Sequence, residues 1–77
     1  MYQVLVVGGG KIGSAIAEML TASGAYKVSV ADRSKDFMTH IQNPAIRKIE
    51  ADVANEKQLL QAMHGTQAVL SALPYAL

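Results

Sequence analysis

The chain contains no cysteine and no tryptophan, and only one phenylalanine. The absence of cysteine excludes disulfide bonds, a thiolate-ligated zinc site and a cysteine nucleophile. The two histidines have no acidic or thiol partner at ligand spacing, so we predict no metal site. With so few aromatic side chains, a hydrophobic content of 51% favours an α/β core built from Val, Ile, Leu and Ala.

Strong charge and long apolar runs are also missing. The formal net charge is +1 over 77 residues, which predicts neither a nucleic-acid-binding surface nor an acidic disordered tail. No apolar run approaches the ~20 residues that span a membrane. The first residues do not form the basic and apolar regions of a secretory signal. We therefore expect a cytoplasmic protein without a nucleic-acid or membrane partner.

What the sequence does contain is an apolar run, residues 4–7, that leads directly into three spaced glycines. Gly8, Gly10 and Gly13 fit the pattern G-x-G-x-x-G between a predicted strand and a predicted helix, the context in which this spacing binds a dinucleotide. There Gly8 permits a tight turn, Gly10 lets the backbone approach the diphosphate, and Gly13 lets the helix lie close to the sheet. The alternative interpretation is a glycine-rich turn without a ligand.

An acidic residue follows at the distance expected for ribose binding. Asp32 lies about twenty residues after Gly13, at the end of the second predicted strand. Its carboxylate would accept hydrogen bonds from ribose hydroxyls and repel a 2′-phosphate, which favours NAD over NADP. Arg33 could instead pair with a 2′-phosphate or cover the adenine. Ordinary turn chemistry after a strand is the alternative for Asp32.

Apolar periodicity predicts the element order β-α-β-α-β-α-β. The strands are expected at residues 2–7, 26–32, 46–50 and 67–72, and the first helix at residues 10–23. Ser34 is the predicted N-cap of a short second helix, and Asn55 that of the third. The residues predicted to face the core share helical spacing; they are Ile12, Ile16, Met19 and Leu20 in the first helix, Phe37, Met38 and Ile41 in the second, and Leu59, Leu60 and Met63 in the third.

This order predicts a Rossmann-type, three-layer half domain with a parallel sheet in the order 3-2-1-4. The third strand is polar, as suits an edge, whereas the fourth is apolar and forms an open edge. We therefore expect self-association through the fourth strand or an apolar sheet face, or low stability. Residues 1–77 are interpreted as one NAD(P)-binding domain, the N-terminal part of a longer enzyme.

Four stretches, GGGKIGSAIAEML, VADRS, EADVAN and AVLSALPYAL, resemble the N-terminal NAD(P)-binding part of saccharopine dehydrogenase-like oxidoreductases. The resemblance covers residues 4–77, and its most specific piece is V-x-S/N-A-x-P at residues 69–74. Asp52 and Val53, after the third strand, could lie near the adenine, or Asp52 could instead be a loop aspartate that starts the third helix. The cofactor contacts that the resemblance implies follow the four strands in turn; they are Gly8, Gly10, Lys11, Ile12 and Gly13, then Asp32 and Arg33, then Asp52 and Val53, then Ala72, Leu73 and Pro74.

The resemblance also implies a reaction. In the full enzyme, hydride would move between NAD(H), or alternatively NADP(H), and a C–N bond of an amino-acid-like substrate. Catalytic residues would lie beyond Leu77, so none is assigned and the chain alone is expected to be inactive. Two other functions are less well matched: a nucleotide-sensing regulatory domain of a potassium-uptake system, whose fourth-strand exit differs, and an S-adenosylmethionine-dependent methyltransferase, where an acid usually precedes the glycines rather than Val6 and Val7.

Overall fold

A computed structural model describes residues 2–39 and 41–72. The four strands form one parallel sheet in the order β3-β2-β1-β4, which confirms the predicted Rossmann-type topology. The elements in chain order are β1 (Tyr2–Val7), α1 (Lys11–Ala22), β2 (Tyr26–Asp32), a 3₁₀ helix (Asp36–Met38), β3 (Arg47–Glu50), α2 (Glu56–Met63) and β4 (Ala68–Ser71).

The register brings the carboxyl ends of all four strands to one edge of the sheet. Val7 at the end of β1 pairs with Ala31 on one side and with Ser71 on the other, and Asp32 pairs with Glu50. The chain leaves β1 toward β2 and returns to β4 on the opposite side of β1. The crevice between β1 and β4 is therefore the topological switch point, where ligands bind in open α/β sheets.

The core has two layers, one on each face of the sheet. Val6 and Val30 pack with Ala17 of α1 on one face, whereas Leu5 and Ala31 pack with Ala62 of α2 on the other. Each side chain of β1 between residues 4 and 7 is at most 5% exposed. This explains why the apolar run does not alternate, since both faces of the strand are covered.

The predicted core face of α1 is wrong for two of its four residues. Ile12 and Met19 are 69% and 73% exposed, whereas Ile16 and Leu20 are half-buried and pack against the core. The centre of the contact is formed by small residues, Gly13, Ser14 and Ala17. Small side chains bring the helix backbone close to the sheet, and the larger apolar residues then lie on its flank.

The predicted second helix is a single 3₁₀ turn. The residue before it is Lys35, and no side chain caps it, so the predicted cap at Ser34 is wrong. Met38 and Ile41 are buried as expected, and the side chain of Phe37 lies outside the described part of the chain. The short loop buries the side chains of Met38 and Ile41 against the core where a longer α-helix was predicted.

The predicted start of the third helix is confirmed. The Oδ1 atom of Asn55 accepts the backbone N–H of Gln58 at 3.2 Å. The predicted face is wrong at Leu60, which is 59% exposed, and Ala62 is buried instead. Within the described residues, no helix is long and apolar enough to cross a membrane.

Candidate functional site

The chain turns sharply at the end of β1. Gly8 has a φ of 106°, in the region that side-chain-bearing residues rarely adopt. Its N–H donates to the carbonyl oxygen of Ala31 at 2.8 Å, so the turn starts against the end of β2. The predicted role of Gly8 in a tight turn is confirmed.

Gly13 lies in the first turn of α1, directly against this turn. A Cβ atom at Gly13 would collide with the carbonyl oxygen of Gly8, and would lie 2.8 Å from its carbonyl carbon and 3.5 Å from the Cβ of Ala72. Only glycine allows the helix to approach the end of β1 this closely. The predicted packing role of Gly13 is confirmed.

Gly10 differs from both. Its φ of −68° is open to any residue, and a Cβ atom there would have no atom within 4 Å in the part of the chain that the structure describes. Neither backbone conformation nor packing requires glycine at this position. The space beside Gly10 is therefore available to a ligand.

The N-terminus of α1 offers hydrogen-bond donors to that space. Gly10 is the N-cap residue, no described side chain caps the helix, and its first turn carries no acidic residue. The backbone N–H groups of Lys11, Ile12 and Gly13 have no intrahelical acceptor in such a position. A 12-residue helix adds a partial positive charge at this end. These donors, next to an open space, fit a diphosphate.

Asp32 lies against the glycine loop. It is 7% exposed, and its Oδ2 atom accepts the N–H of Gly9 at 2.7 Å. The Oδ1 atom accepts the N–H of Ser34 at 3.0 Å, which is the turn chemistry considered above. Arg33 is exposed beside it. The carboxylate is thus at the expected edge of the sheet, and its contact with ribose stays a prediction.

Asp52 and Val53 follow β3 at the same edge, but their side chains have other contacts. The Oδ1 atom of Asp52 accepts the N–H of Ala54 at 3.0 Å, and the Asp52 N–H donates to Oε1 of Gln58 at 2.7 Å. Val53 packs against the core cluster on the α2 side. Asp52 therefore shapes the turn into α2, and an adenine contact for either residue stays a prediction.

Ala72 extends the pairing at the end of β4. Its N–H donates to the carbonyl oxygen of Val7 at 2.8 Å, and its side chain packs on the α1-side core. It therefore lines the crevice beside the glycine loop. Leu73 and Pro74, the other two predicted contacts at this exit, lie outside the described residues.

The sequence prediction missed Ser14 and Gly9. Ser14 is 7% exposed, although it is not among the residues predicted to face the core, and its hydroxyl donates to the carbonyl oxygen of Gly9 at 2.9 Å. The only signal in the sequence is a small polar residue directly after the third glycine of the motif. Its burial depends on how closely α1 approaches the sheet, which periodicity does not measure.

Two other features of the described residues lie apart from this loop. A groove of about 450 Å³ runs beside α2 and is lined mainly by polar side chains, including Gln3, Arg47 and His64, with no residue of the glycine loop. Among residues 2–39 and 41–72, no group of three or more His, Cys, Asp or Glu side chains could hold a metal ion. The glycine loop and Asp32 thus form a site at the crevice edge that is separate from this groove.

Comparison with known families agrees with this geometry. Residues 4–77 match the family model described as the saccharopine dehydrogenase NADP binding domain. The chain belongs to this family. This saccharopine dehydrogenase-family domain is thus a Rossmann domain for a nicotinamide dinucleotide. No curated protein gives a significant match.

Solved structures with the same fold cover the domain almost completely. A Rossmann-fold NAD(P)-binding family protein from Shigella flexneri is 28% identical with a TM-score of 0.83, and the match covers 97% of this chain and 39% of that one. A putative epimerase from Bacteroides thetaiotaomicron is 24% identical with a TM-score of 0.79, and the match covers 95% of this chain and 33% of that one. A UDP-glucuronic acid 4-epimerase from Bacillus cereus, in complex with NAD, is 20% identical with a TM-score of 0.72, and the match covers 97% of this chain and 28% of that one. The two epimerases share the fold alone, and the chain spans well under half of each of these proteins.

Proposed function

We propose that this domain binds the adenosine and diphosphate part of NAD(H) in a longer oxidoreductase of the saccharopine dehydrogenase type. The observation that carries the proposal is the uncapped N-terminus of α1, which faces open space at Gly10. Phosphate oxygens would accept hydrogen bonds from the N–H groups of residues 11–13. Gly9 does not contribute its N–H, because that group already donates to Asp32.

Asp32 is the proposed ribose ligand. Each of its carboxylate oxygens accepts one backbone N–H, and a carboxylate has about four acceptor sites, so ribose hydroxyls can still bind. A buried negative charge would repel a 2′-phosphate, and we therefore infer a preference for NAD over NADP. Exposed Arg33 is the residue that would favour NADP instead.

The remaining predicted contacts complete the cofactor site in the proposal. Asp52 and Val53 would border the adenine, while Ala72, Leu73 and Pro74 would border the path from the diphosphate to the nicotinamide ribose. The bound nicotinamide supplies a hydride donor or acceptor. The chain's own residues bind and orient the cofactor, and the substrate site belongs to the rest of the enzyme.

The proposed reaction is hydride transfer at a C–N bond of an amino-acid-like substrate in the cytoplasm. Family membership supports this assignment, while the epimerases among the structural neighbours share only the fold. A regulatory nucleotide-sensing domain would bind the same cofactor without redox chemistry. For the domain alone we further propose self-association through β4, an edge of the described sheet whose residues Val69 and Leu70 are exposed.

The test is calorimetric titration of the domain with ADP-ribose, NAD⁺ and NADP⁺. We expect ADP-ribose and NAD⁺ to bind, and NADP⁺ to bind about tenfold more weakly or worse, because one repelled charge is worth about 1.4 kcal/mol or more. Gly10→Val should weaken binding at least about tenfold without loss of the fold, since its side chain enters the open space.

The matched control is Ala15→Val, which adds the same side chain to an exposed position of α1. It should leave the affinity for ADP-ribose unchanged. A folded wild-type domain that binds none of the three ligands would disprove the cofactor site. Equal affinities of Gly10→Val and wild type would show that the ligand does not bind at the N-terminus of α1.

A further inference from the structure

Two buried polar side chains of the described residues hydrogen-bond to the backbone of one residue, Gly9. Ser14 and Asp32 are both 7% exposed and lie on different elements, α1 and β2. Asp32 accepts the N–H of Gly9 at 2.7 Å, and Ser14 donates its hydroxyl to the carbonyl oxygen of the same residue at 2.9 Å. Both polar groups of Gly9 are thus held by buried side chains.

These contacts fix the part of the loop that the motif itself leaves undetermined. Gly9 occupies a variable position of G-x-G-x-x-G, and its φ is not positive, so its backbone conformation does not depend on being glycine. The two hydrogen bonds set the orientation of the peptide groups on either side of it. The peptide on its C-terminal side leads directly to Gly10, the N-cap of α1.

The burial of both side chains makes the arrangement specific. A buried polar group without a partner is costly, and a hydrogen bond to a charged acceptor is stronger than a neutral one. Rotating the peptide before Gly9 would break its hydrogen bond to Asp32, and rotating the peptide after Gly9 would break the one to Ser14, so either change leaves a buried backbone group and a buried side-chain oxygen without this partner. Such a loop has one favoured conformation in the absence of a ligand.

We propose that Ser14 and Asp32 form a clamp that holds the glycine loop in its phosphate-binding conformation before the cofactor arrives. Both are positioning residues, because Ser14 acts through Gly9 and Asp32 does so in addition to its proposed contact with ribose. A preorganised loop binds more tightly, because binding then does not lose the conformational entropy of ordering the loop. The ligand part of this inference rests on the proposed function; the clamp itself can be measured without any ligand.

Inorganic pyrophosphate separates the clamp from ribose binding, since it has no ribose. If Asp32 were only a ribose ligand, Asp32→Ala would leave pyrophosphate affinity unchanged or raise it by removing a negative charge. The clamp predicts the opposite sign, a loss of about fivefold or more. Asp32→Asn keeps an oxygen that can accept the Gly9 N–H, and should restore the affinity.

The experiment uses NMR spectroscopy of the 77-residue chain. Hydrogen exchange of the Gly9 amide is measured without ligand, and pyrophosphate affinity is measured by chemical-shift titration. We expect Ser14→Ala and Asp32→Ala to speed Gly9 exchange about tenfold or more, while core amides of Val6 and Val30 keep their protection. Pyrophosphate affinity should fall in both variants.

Ser23→Ala is the matched control, because the Ser23 hydroxyl also donates to a carbonyl oxygen, that of Leu20 at 2.7 Å, at the other end of α1. It should change neither Gly9 exchange nor affinity. Unchanged Gly9 exchange in both clamp variants would overturn the clamp, and faster exchange with unchanged affinity would overturn its role in binding. If Gly9 exchange responds but wild type binds neither pyrophosphate nor ADP-ribose, the clamp stands and the proposed function fails. Should Asp32→Ala not fold, Ser14→Ala alone tests both Gly9 exchange and pyrophosphate affinity.

Discussion

Gly10 and Gly13 belong to one motif, but the protein surrounds them differently. Gly13 has a backbone carbonyl where its Cβ would lie, and Gly10 has open space. Packing therefore requires glycine at position 13, whereas Gly10 leaves room for a ligand. Sequence alone shows the same letter at both positions.

At Gly13, helix propensity and packing predict opposite effects of an added methyl group. Propensity alone would make Gly13→Ala stabilising by about 1 kcal/mol. The methyl group would meet the carbonyl of Gly8, a backbone group that cannot rotate away, so we expect a net loss of about 2 kcal/mol or more in the free energy of unfolding.

Urea denaturation followed by circular dichroism measures this change. Gly10→Ala is the control and should alter the free energy of unfolding by no more than about 0.5 kcal/mol, because its Cβ would have no neighbour within 4 Å among the described residues. A stabilised Gly13→Ala variant would show that α1 does not approach β1 as closely as described.

At the scale of elements, the start of α2 depends on local hydrogen bonds rather than on a large apolar face. Asn55 caps the helix through the N–H of Gln58. Asn55→Ala should lower the free energy of unfolding by about 1 kcal/mol, whereas Asn55→Asp should keep most of it, since its oxygen can accept the same bond. Gln61→Ala, at an exposed position within α2, is the control in thermal denaturation. Equal losses in all three variants would contradict a capping role.

The sequence predicts the elements of this domain better than the faces they bury. Apolar residues identify the two central strands, because residues 4–7 of β1 are covered on both faces of the sheet and Val28, Val30 and Ala31 of β2 are buried. The face of α1 was mispredicted at Ile12 and Met19, since periodicity gives weight to large side chains whereas the contact is made by Gly13 and Ala17. Periodicity does not predict the burial of Ser14 for the same reason.

For the candidate site, spacing in the sequence places Gly8, Gly13 and Asp32 at the edge where the structure has them. The hydrogen bond from the Gly9 N–H to Asp32 could not be predicted, because it depends on the loop conformation that only the packed helix fixes; the bond from the Ser34 N–H is the turn chemistry that the sequence offers as the alternative. At Asp52 the contacts agree with the alternative prediction, a loop aspartate in the turn that starts α2.

At the scale of the whole molecule, the two edges of the described sheet have opposite character. The edge strand β3 carries Arg47, Lys48 and Glu50, and charged side chains discourage pairing with another chain. The other edge strand, β4, has no charged residue, and Val69 and Leu70 are 39% and 42% exposed on its two faces. An uncharged edge with unpaired backbone groups is a template for another strand.

We therefore expect the isolated domain to self-associate through β4, and Leu70→Lys to prevent it by placing a charge on that edge. Sedimentation velocity over a series of concentrations measures this: the sedimentation coefficient of wild type should rise with concentration, and that of Leu70→Lys should stay at the monomer value. Leu60→Lys is the matched control, because Leu60 is also exposed but lies on α2 rather than on an edge. If association were a general effect of exposed leucine, both variants would suppress it equally. A wild-type chain that is monomeric at every concentration would show that the β4 edge, although uncharged, does not pair with a second copy.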